Sequence, residues 1–196
     1  MSAGVRLLLI GPPGAGKGTQ AAKLAEHFSI PAISTGDIFR ENVRNETELG
    51  KRAKEFMDRG DNVPDSLTNE LVADRLAQSD CAPGFLLDGF PRTAAQVDAL
   101  NGMLAEHHTA LDAVVELVAD VEVVVERLKK RALEQGRSDD DESVVRHRLE
   151  VYAEQTAPLI DLYNQQGILV SVDGIGEISE VTGRILDALA GRGVEA

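Results

Sequence analysis

The chain has 196 residues, 43% of them hydrophobic and 27% charged, with 20 Lys and Arg against 33 Asp and Glu and a formal charge of −13. That length suits one domain with a buried core and a small insert, and the acidic balance repels polyanions, which argues against nucleic acid or an anionic membrane as a partner. A single cysteine, Cys81, excludes an internal disulfide and a cysteine-built zinc site and fits a reducing compartment.

Met1 to Gly4 run at once into an apolar stretch, which leaves no room for a secretory leader, and no apolar run approaches the roughly 20 residues that cross a bilayer; a cytoplasmic location is expected. Arg6 to Ile10 read as a buried strand. It enters Gly11-Pro12-Pro13-Gly14-Ala15-Gly16-Lys17-Gly18-Thr19, after which Ala21, Leu24, Ala25 and Phe28 recur at helical spacing. A strand entering a glycine-rich turn that opens a helix is a cradle for phosphate. The glycines let backbone N–H groups approach an anion, the helix N-terminus adds partial positive charge, and Lys17 reaches the outer phosphates. The residue after Lys17 is Gly18, so the hydroxyl comes one place later than in the general pattern, at Thr19.

Ala32 and Ile33 read as a short second strand followed by Ser34-Thr35-Gly36-Asp37. Residues from about 36 to 63 carry two helical patterns with no strand between them and end at Arg59-Gly60-Asp61-Asn62-Val63-Pro64, an excursion from the sheet edge. Phe85 to Leu87 form a third strand, followed by Asp88-Gly89-Phe90-Pro91-Arg92 and a helix marked by Ala95, Leu100 and Leu104. Ala113 to Leu117 form the fourth strand. Beyond it, Leu133 to Glu142 interrupt two helical patterns with Gly136, Arg137 and an Asp139-Asp140-Asp141 run that reads as solvated surface, and Ile168 to Val172 form the fifth strand. Strands alternating with helices predict an α/β fold with a parallel sheet covered on both faces and ligands at the carboxyl ends of the strands, where the polar signals lie.

Gly11 to Thr19, Ser34-Thr35-Gly36-Asp37-Ile38-Phe39-Arg40 and Asp88 to Arg92 together resemble the nucleoside monophosphate kinases, most closely the adenylate kinases, and the resemblance runs essentially end to end. It implies a P-loop three-layer sandwich on a five-stranded parallel sheet, one kinase domain over 1–196 with a helical monophosphate-binding flap at about 34–63 and a short lid at about 130–141. It also implies reversible, Mg²⁺-dependent transfer of the ATP γ-phosphoryl group to AMP giving two ADP, by a monomer. The short lid lacks the length and thiols of the longer form that is sometimes zinc-bound, so no zinc is expected.

Phosphoryl transfer needs positioning and charge stabilisation more than a covalent partner, and arginine supplies planar bidentate donors for it. The resemblance assigns Gly14, Ala15, Gly16, Lys17, Gly18, Thr19, Arg131 and Gly176 to ATP. It assigns Thr35, Arg40, Asp61, Asn62, Val63, Gly89, Phe90, Pro91, Arg92, Gln96, Arg137 and Arg148 to AMP, and Lys17, Arg92, Arg131, Arg137 and Arg148 to the transfer itself. Asp88 is assigned to Mg²⁺ through water. Arg127 either joins the ATP arginines or pairs with Glu122 or Glu126. Gln96 has two readings: its carboxamide pairs with an adenine edge, or it completes a capping box with Thr93. All four histidines, His27, His107, His108 and His147, read as surface residues. A UMP/CMP kinase is the alternative that Thr35 and Gln96 disfavour, and a slow nucleotide-dependent switch is the one that Arg40 and Arg92 disfavour.

Overall fold

The computed structural model describes residues 4–136 and 141–196. At its centre is a parallel sheet of five strands in the order β2-β3-β1-β4-β5: β1 (Arg6–Ile10), β2 (Ala32–Ser34), β3 (Phe85–Asp88), β4 (Ala113–Val118) and β5 (Leu169–Asp173). The apolar runs predicted each of them to within one residue at either end.

The sheet is covered on both faces, so its inner strands are apolar at consecutive positions. Leu7 and Leu9 of β1 join Val115, Leu117 and Val172 on one side and pack against α1 (Lys17–Phe28) and α9 (Ile178–Ala190) through Leu24, Val181 and Ile185. Leu8 and Ile10 join Leu87 and Val114 on the other and pack against α5 (Ala94–Glu106) and α8 (Ala157–Gln165) through Val97, Leu100 and Leu159. Leu7, Leu8 and Leu24 are 0% exposed. At about 1.5–3 kcal/mol for each fully buried aliphatic side chain, these two layers outweigh intrinsic helix propensity in holding the helices on the sheet.

Between β2 and β3 the chain leaves the sheet as α2 (Thr35–Arg44) and α3 (Glu48–Arg59) and returns through α4 (Asp65–Leu76). Ser34 caps α2 by accepting from the Asp37 N–H at 3.2 Å, and Thr47 caps α3 by accepting from the Gly50 N–H at 2.9 Å. This flap has its own small core of Phe39, Ala53 and Val63, with Leu49, Phe56 and Met57 against it. Gly50 is the point of closest approach, since a Cβ there would lie 2.1 Å from the Asn42 carbonyl oxygen.

After β4, α6 (Val121–Gln135) and α7 (Glu142–Val151) pack through Val124, Leu128 and Val145. The predicted lid at about 130–141 starts within the last turns of α6, and Arg137 with the first two acids of the aspartate run lies outside the described residues. From α7 the chain passes through a π-helical turn, Tyr152–Thr156, into α8. Pro158 stands in the first turn of α8 and has no N–H to give, so an uninterrupted α-helical ladder cannot form there. Among the described residues, no helix is long and apolar enough to cross a membrane.

Candidate active site

The glycine-rich segment leaves β1 at Gly11 and turns on two left-handed glycines, Gly14 at φ 82° and Gly16 at φ 92°. Gly14 is required twice over, because a Cβ would also lie 2.9 Å from Leu128 Cγ and 3.1 Å from the Val124 carbonyl oxygen. Gly16 is the N-cap of α1, and among the described residues no side chain caps that end. The first N–H groups of α1 therefore point out of the loop together with the positive end of the helix dipole. Lys17 curls back over the loop, donating from Nζ to the carbonyl oxygens of Gly11 at 3.0 Å and Pro12 at 3.1 Å.

Arg127 fixes the loop from behind. Its guanidinium donates to the Ala15 carbonyl at 3.3 Å and the Gly174 carbonyl at 3.2 Å, and the Gly174 N–H donates to Val118 O at 2.7 Å. Of the two expected fates for Arg127, the pairing with Glu122 or Glu126 gives way to these carbonyl contacts, which tie the loop to the turn after β5. That turn carries Gly176 at φ 130°, beside Glu180 and Arg184. Gly18 and Thr19 are exposed in the first turn of α1.

Beside the loop lies a cavity where the ends of β1, β2 and β3 meet the flap and α7. Of the predicted residues, Lys17, Thr35, Arg40, Asp61, Asn62, Val63, Gly89, Pro91, Arg92, Gln96 and Arg148 border it. The turn after β3 forms a hydrogen-bonded wall of it. Gly89 adopts φ 84°, and its carbonyl accepts from Thr35 Oγ1 at 3.0 Å and Arg92 Nε at 2.8 Å. A Cβ on Gly89 would lie 2.9 Å from Arg92 Nη2 and 3.0 Å from Thr35 Oγ1, so only glycine lets both side chains close on it. Arg40 pairs with Asp37 at 2.5 Å one turn earlier on α2.

Other predicted residues stand apart from this cavity. Phe90 is 1% exposed and its ring belongs to the core beneath α5, so of the Gly89-Phe90-Pro91 run it is the neighbours that face the cavity. Asp88, 7% exposed at the end of β3, borders a separate depression with Gly18, Ser34 and Asp37. Arg131 reaches the site electrostatically.

Burial pushes the Lys17 ammonium down to about 8, against the pull of Asp88 and with the help of Arg92, Arg148 and Arg131. Three arginines predicted from separate stretches of chain are thus gathered around one lysine, a concentration of positive charge inside an acidic protein. Burial also raises the Asp88 carboxyl, while Lys17 and Arg92 hold it back.

Three features escaped the sequence reading. Asp65, the first residue of α4, accepts from Thr93 Oγ1 at 2.9 Å and from Gln96 Nε2 at 2.9 Å. Thr156, in the π-helical turn and 6% exposed, donates to the Arg92 carbonyl at 2.8 Å; Pro158 was the only local sign of that turn. His147 corrects an expectation: it is half-buried rather than a plain surface residue, and its Nε2 meets Asp61 Oδ1 at 2.5 Å because α7 lies across the end of α3. Gly60 permits that crossing, since a Cβ would lie 2.9 Å from Arg148 Cγ and from the Val144 carbonyl oxygen. The capping-box reading of Gln96 is modified, while the residue borders the cavity as the base-contact reading requires. Its N–H does bond to Thr93 Oγ1 at 3.2 Å, but its carboxamide turns away from that cap, accepting from the Arg92 N–H at 2.7 Å and donating to Asp65.

The family model described as adenylate kinase matches residues 9–168. The chain is 57% identical over 188 residues to the adenylate kinase of Leifsonia xyli subsp. xyli, covering 96% of this chain and 94% of that protein. It is 58% identical over 185 residues to that of Bifidobacterium longum (94% and 100% covered) and 57% identical over 188 residues to that of Thermobifida fusca (96% and 100% covered). A match of this extent, on a chain whose glycine-rich loop and arginines converge as described, leaves one conclusion: the chain belongs to the adenylate kinase family.

Proposed function

We propose that the protein interconverts ATP and AMP with two ADP, with the donor triphosphate on the loop 11–17 and the monophosphate in the adjoining cavity, and that it maintains adenine nucleotide balance. The observation that carries this reading is a single cavity bordered by Lys17 together with Arg40, Arg92 and Arg148 and with Thr35 and Gln96. An acceptor phosphate is already anionic at neutral pH, so no general base is needed. The work is to neutralise and align two sets of phosphate oxygens in a site shielded from water. Arg92 suits this because its guanidinium and its backbone are both fixed, by the Gly89 carbonyl and by Gln96 and Thr156. Arg131 and Arg137, on the lid side, would complete the set when the lid covers the donor, which also keeps water from acting as acceptor.

Mg²⁺ belongs to the same proposal. The donors present fit it: Asp88 is a buried carboxylate within electrostatic reach of Lys17, and Thr19 offers a hydroxyl from α1. Most coordination would then fall to phosphate oxygens and water, which this ion accepts. When bound, Mg²⁺ supplies charge neutralisation across the donor phosphates. A monomer acting in the cytoplasm completes the reading; the lone cysteine suits a reducing compartment.

The test is phosphoryl transfer from Mg·ATP to a panel of AMP, UMP and CMP, with Lys17→Met as control. AMP is expected to be used far better than either pyrimidine. Preference for UMP or CMP would replace the assignment with a pyrimidine monophosphate kinase, and ATP hydrolysis indifferent to every monophosphate would replace it with a switch.

A further inference from the structure

Gln96 is 1% exposed and borders the cavity, and its carboxamide is held at both ends. Oε1 accepts from the Arg92 backbone N–H at 2.7 Å, and Nε2 donates to Asp65 Oδ1 at 2.9 Å. A backbone N–H can only donate and an ionised carboxylate can only accept, so the chemistry of the partners fixes which end of the amide is oxygen. Turning the amide over would set N–H against N–H and oxygen against carboxylate. Asp65 is itself held, by the Thr93 hydroxyl at 2.9 Å and by its place as first residue of α4.

We propose that Asp65 is a positioning residue for base selection: by holding Gln96 in one amide orientation, it makes the cavity favour 6-aminopurine monophosphates over 6-oxopurine monophosphates. The proposal rests on the reading of the cavity as the adenine-nucleotide acceptor site. Each end of the held amide keeps one unused capacity, a lone pair on Oε1 and a hydrogen on Nε2. Adenine presents a donor at its 6-amino group and an acceptor at N1, which that pair matches. A 6-oxopurine has the same shape with the pattern reversed, an acceptor at O6 and a donor at N1. A free glutamine would serve either base by rotating half a turn, so glutamine alone does not discriminate between them. The barrier to that rotation is Asp65 together with the Arg92 N–H. Discrimination arises because a buried polar group would be left facing its own kind, which costs more than a missing contact.

The experiment measures kcat/KM for AMP and for IMP in the wild type, Asp65→Asn and Asp65→Ala, each checked for a native circular dichroism spectrum, and repeats the Asp65→Asn comparison in a Gln96→Leu background. An asparagine in place of Asp65 can turn its own amide to donate, and an alanine there removes the acceptor, so either change opens one half of the lock. The AMP-to-IMP ratio is expected to fall about ten-fold in both, with kcat/KM for IMP rising in absolute value. In the Gln96→Leu background Asp65→Asn should leave the ratio unchanged, because the lock has nothing left to hold. An unchanged ratio in the single variants, a parallel loss for both nucleotides, or a fall carried by AMP alone would overturn the lock and leave Asp65 a purely structural residue. Failure of the underlying reading looks different, since the wild type itself would then not prefer AMP.

Discussion

The loop 11–16 and the cavity beside it are both fit for phosphate, yet they are built by opposite means. The loop is backbone work on one contiguous stretch: two left-handed glycines, an open helix end and a lysine folded over its own carbonyls. The cavity is side-chain work assembled from the end of β1, α2, the turn before α4, the turn after β3, α5 and the α7–α8 junction. A backbone site is hard to damage except through its glycines and its one lysine. An assembled site can be damaged from any of its walls, and each wall controls a different property.

The largest expected loss tests the first half. Lys17→Met should lower kcat/KM by about 10²–10³-fold, the effect of removing one charged donor from developing phosphate charge, while the fold is retained. The same residue gives a pH signature. With its ammonium at about 8 in the free protein, a bound polyphosphate would favour the charged form, so binding takes up protons near that pH and weakens as pH rises through it. Calorimetry of an ATP analogue in buffers of different ionisation heat reads that uptake directly, and it should vanish in Lys17→Met.

Gly89→Ala attacks the second half at its most crowded point. A Cβ at φ 84° is strained, and it would press on Arg92 and Thr35 together. The expected loss in kcat/KM for AMP is about 10–100-fold, the kinetic equivalent of roughly 1.5–3 kcal/mol of strain and lost positioning. Binding of the ATP analogue should change little. An equal loss for both nucleotides would show that the two halves are one mechanical unit.

The same contrast decides how much could be read from the sequence. The five strands and the loop were legible because a buried strand, a glycine turn and a helix start are all local patterns, and local patterns survive in a linear text. Gly89 and Arg92 were legible as members of a short run, though not the reason that Gly89 must be glycine, which needs Thr35 brought from 54 positions away. Asp65 was illegible. Its meaning lies in a hydrogen bond to Gln96 across 31 positions, and alone it looks like an ordinary acidic start to a helix. His147 and Asp61, 86 positions apart, likewise carry no sign of each other. Phe90 shows the opposite error, since a run of adjacent residues gave no hint that the middle ring turns into the core.

The flap offers a smaller and more selective test. Gly50→Ala would force a Cβ into the Asn42 backbone where α2 meets α3, overpacking a core that is separate from the sheet layers. About 1–3 kcal/mol of destabilisation is expected by urea denaturation, with KM for AMP raised and affinity for the ATP analogue within about two-fold of wild type. That split follows if the flap's small core supports only the acceptor wall.

The smallest expected effect lies where α7 crosses the end of the flap. The hydrogen bond between His147 and Asp61 raises the imidazole above its ordinary 6.5, and the same bond with that from Arg59 lowers the Asp61 carboxyl below 3.8. For the raised histidine, the contribution is fully present below 6.5 and is lost as pH climbs through the raised value. For the lowered aspartate, it is present above 3.8 and is lost as pH falls through the depressed value. The contact is therefore at full strength between pH 3.8 and 6.5 and loosens as pH climbs above that range through the raised histidine value. Both groups are half-exposed, so salt screens them in part and the consequence for KM of AMP should be no more than about three-fold. An NMR titration checks the cause rather than the consequence. The His147 imidazole should titrate above its ordinary value in the wild type and return to it in Asp61→Asn, and a wild-type His147 that titrates normally would mean that α7 does not rest on the flap in solution.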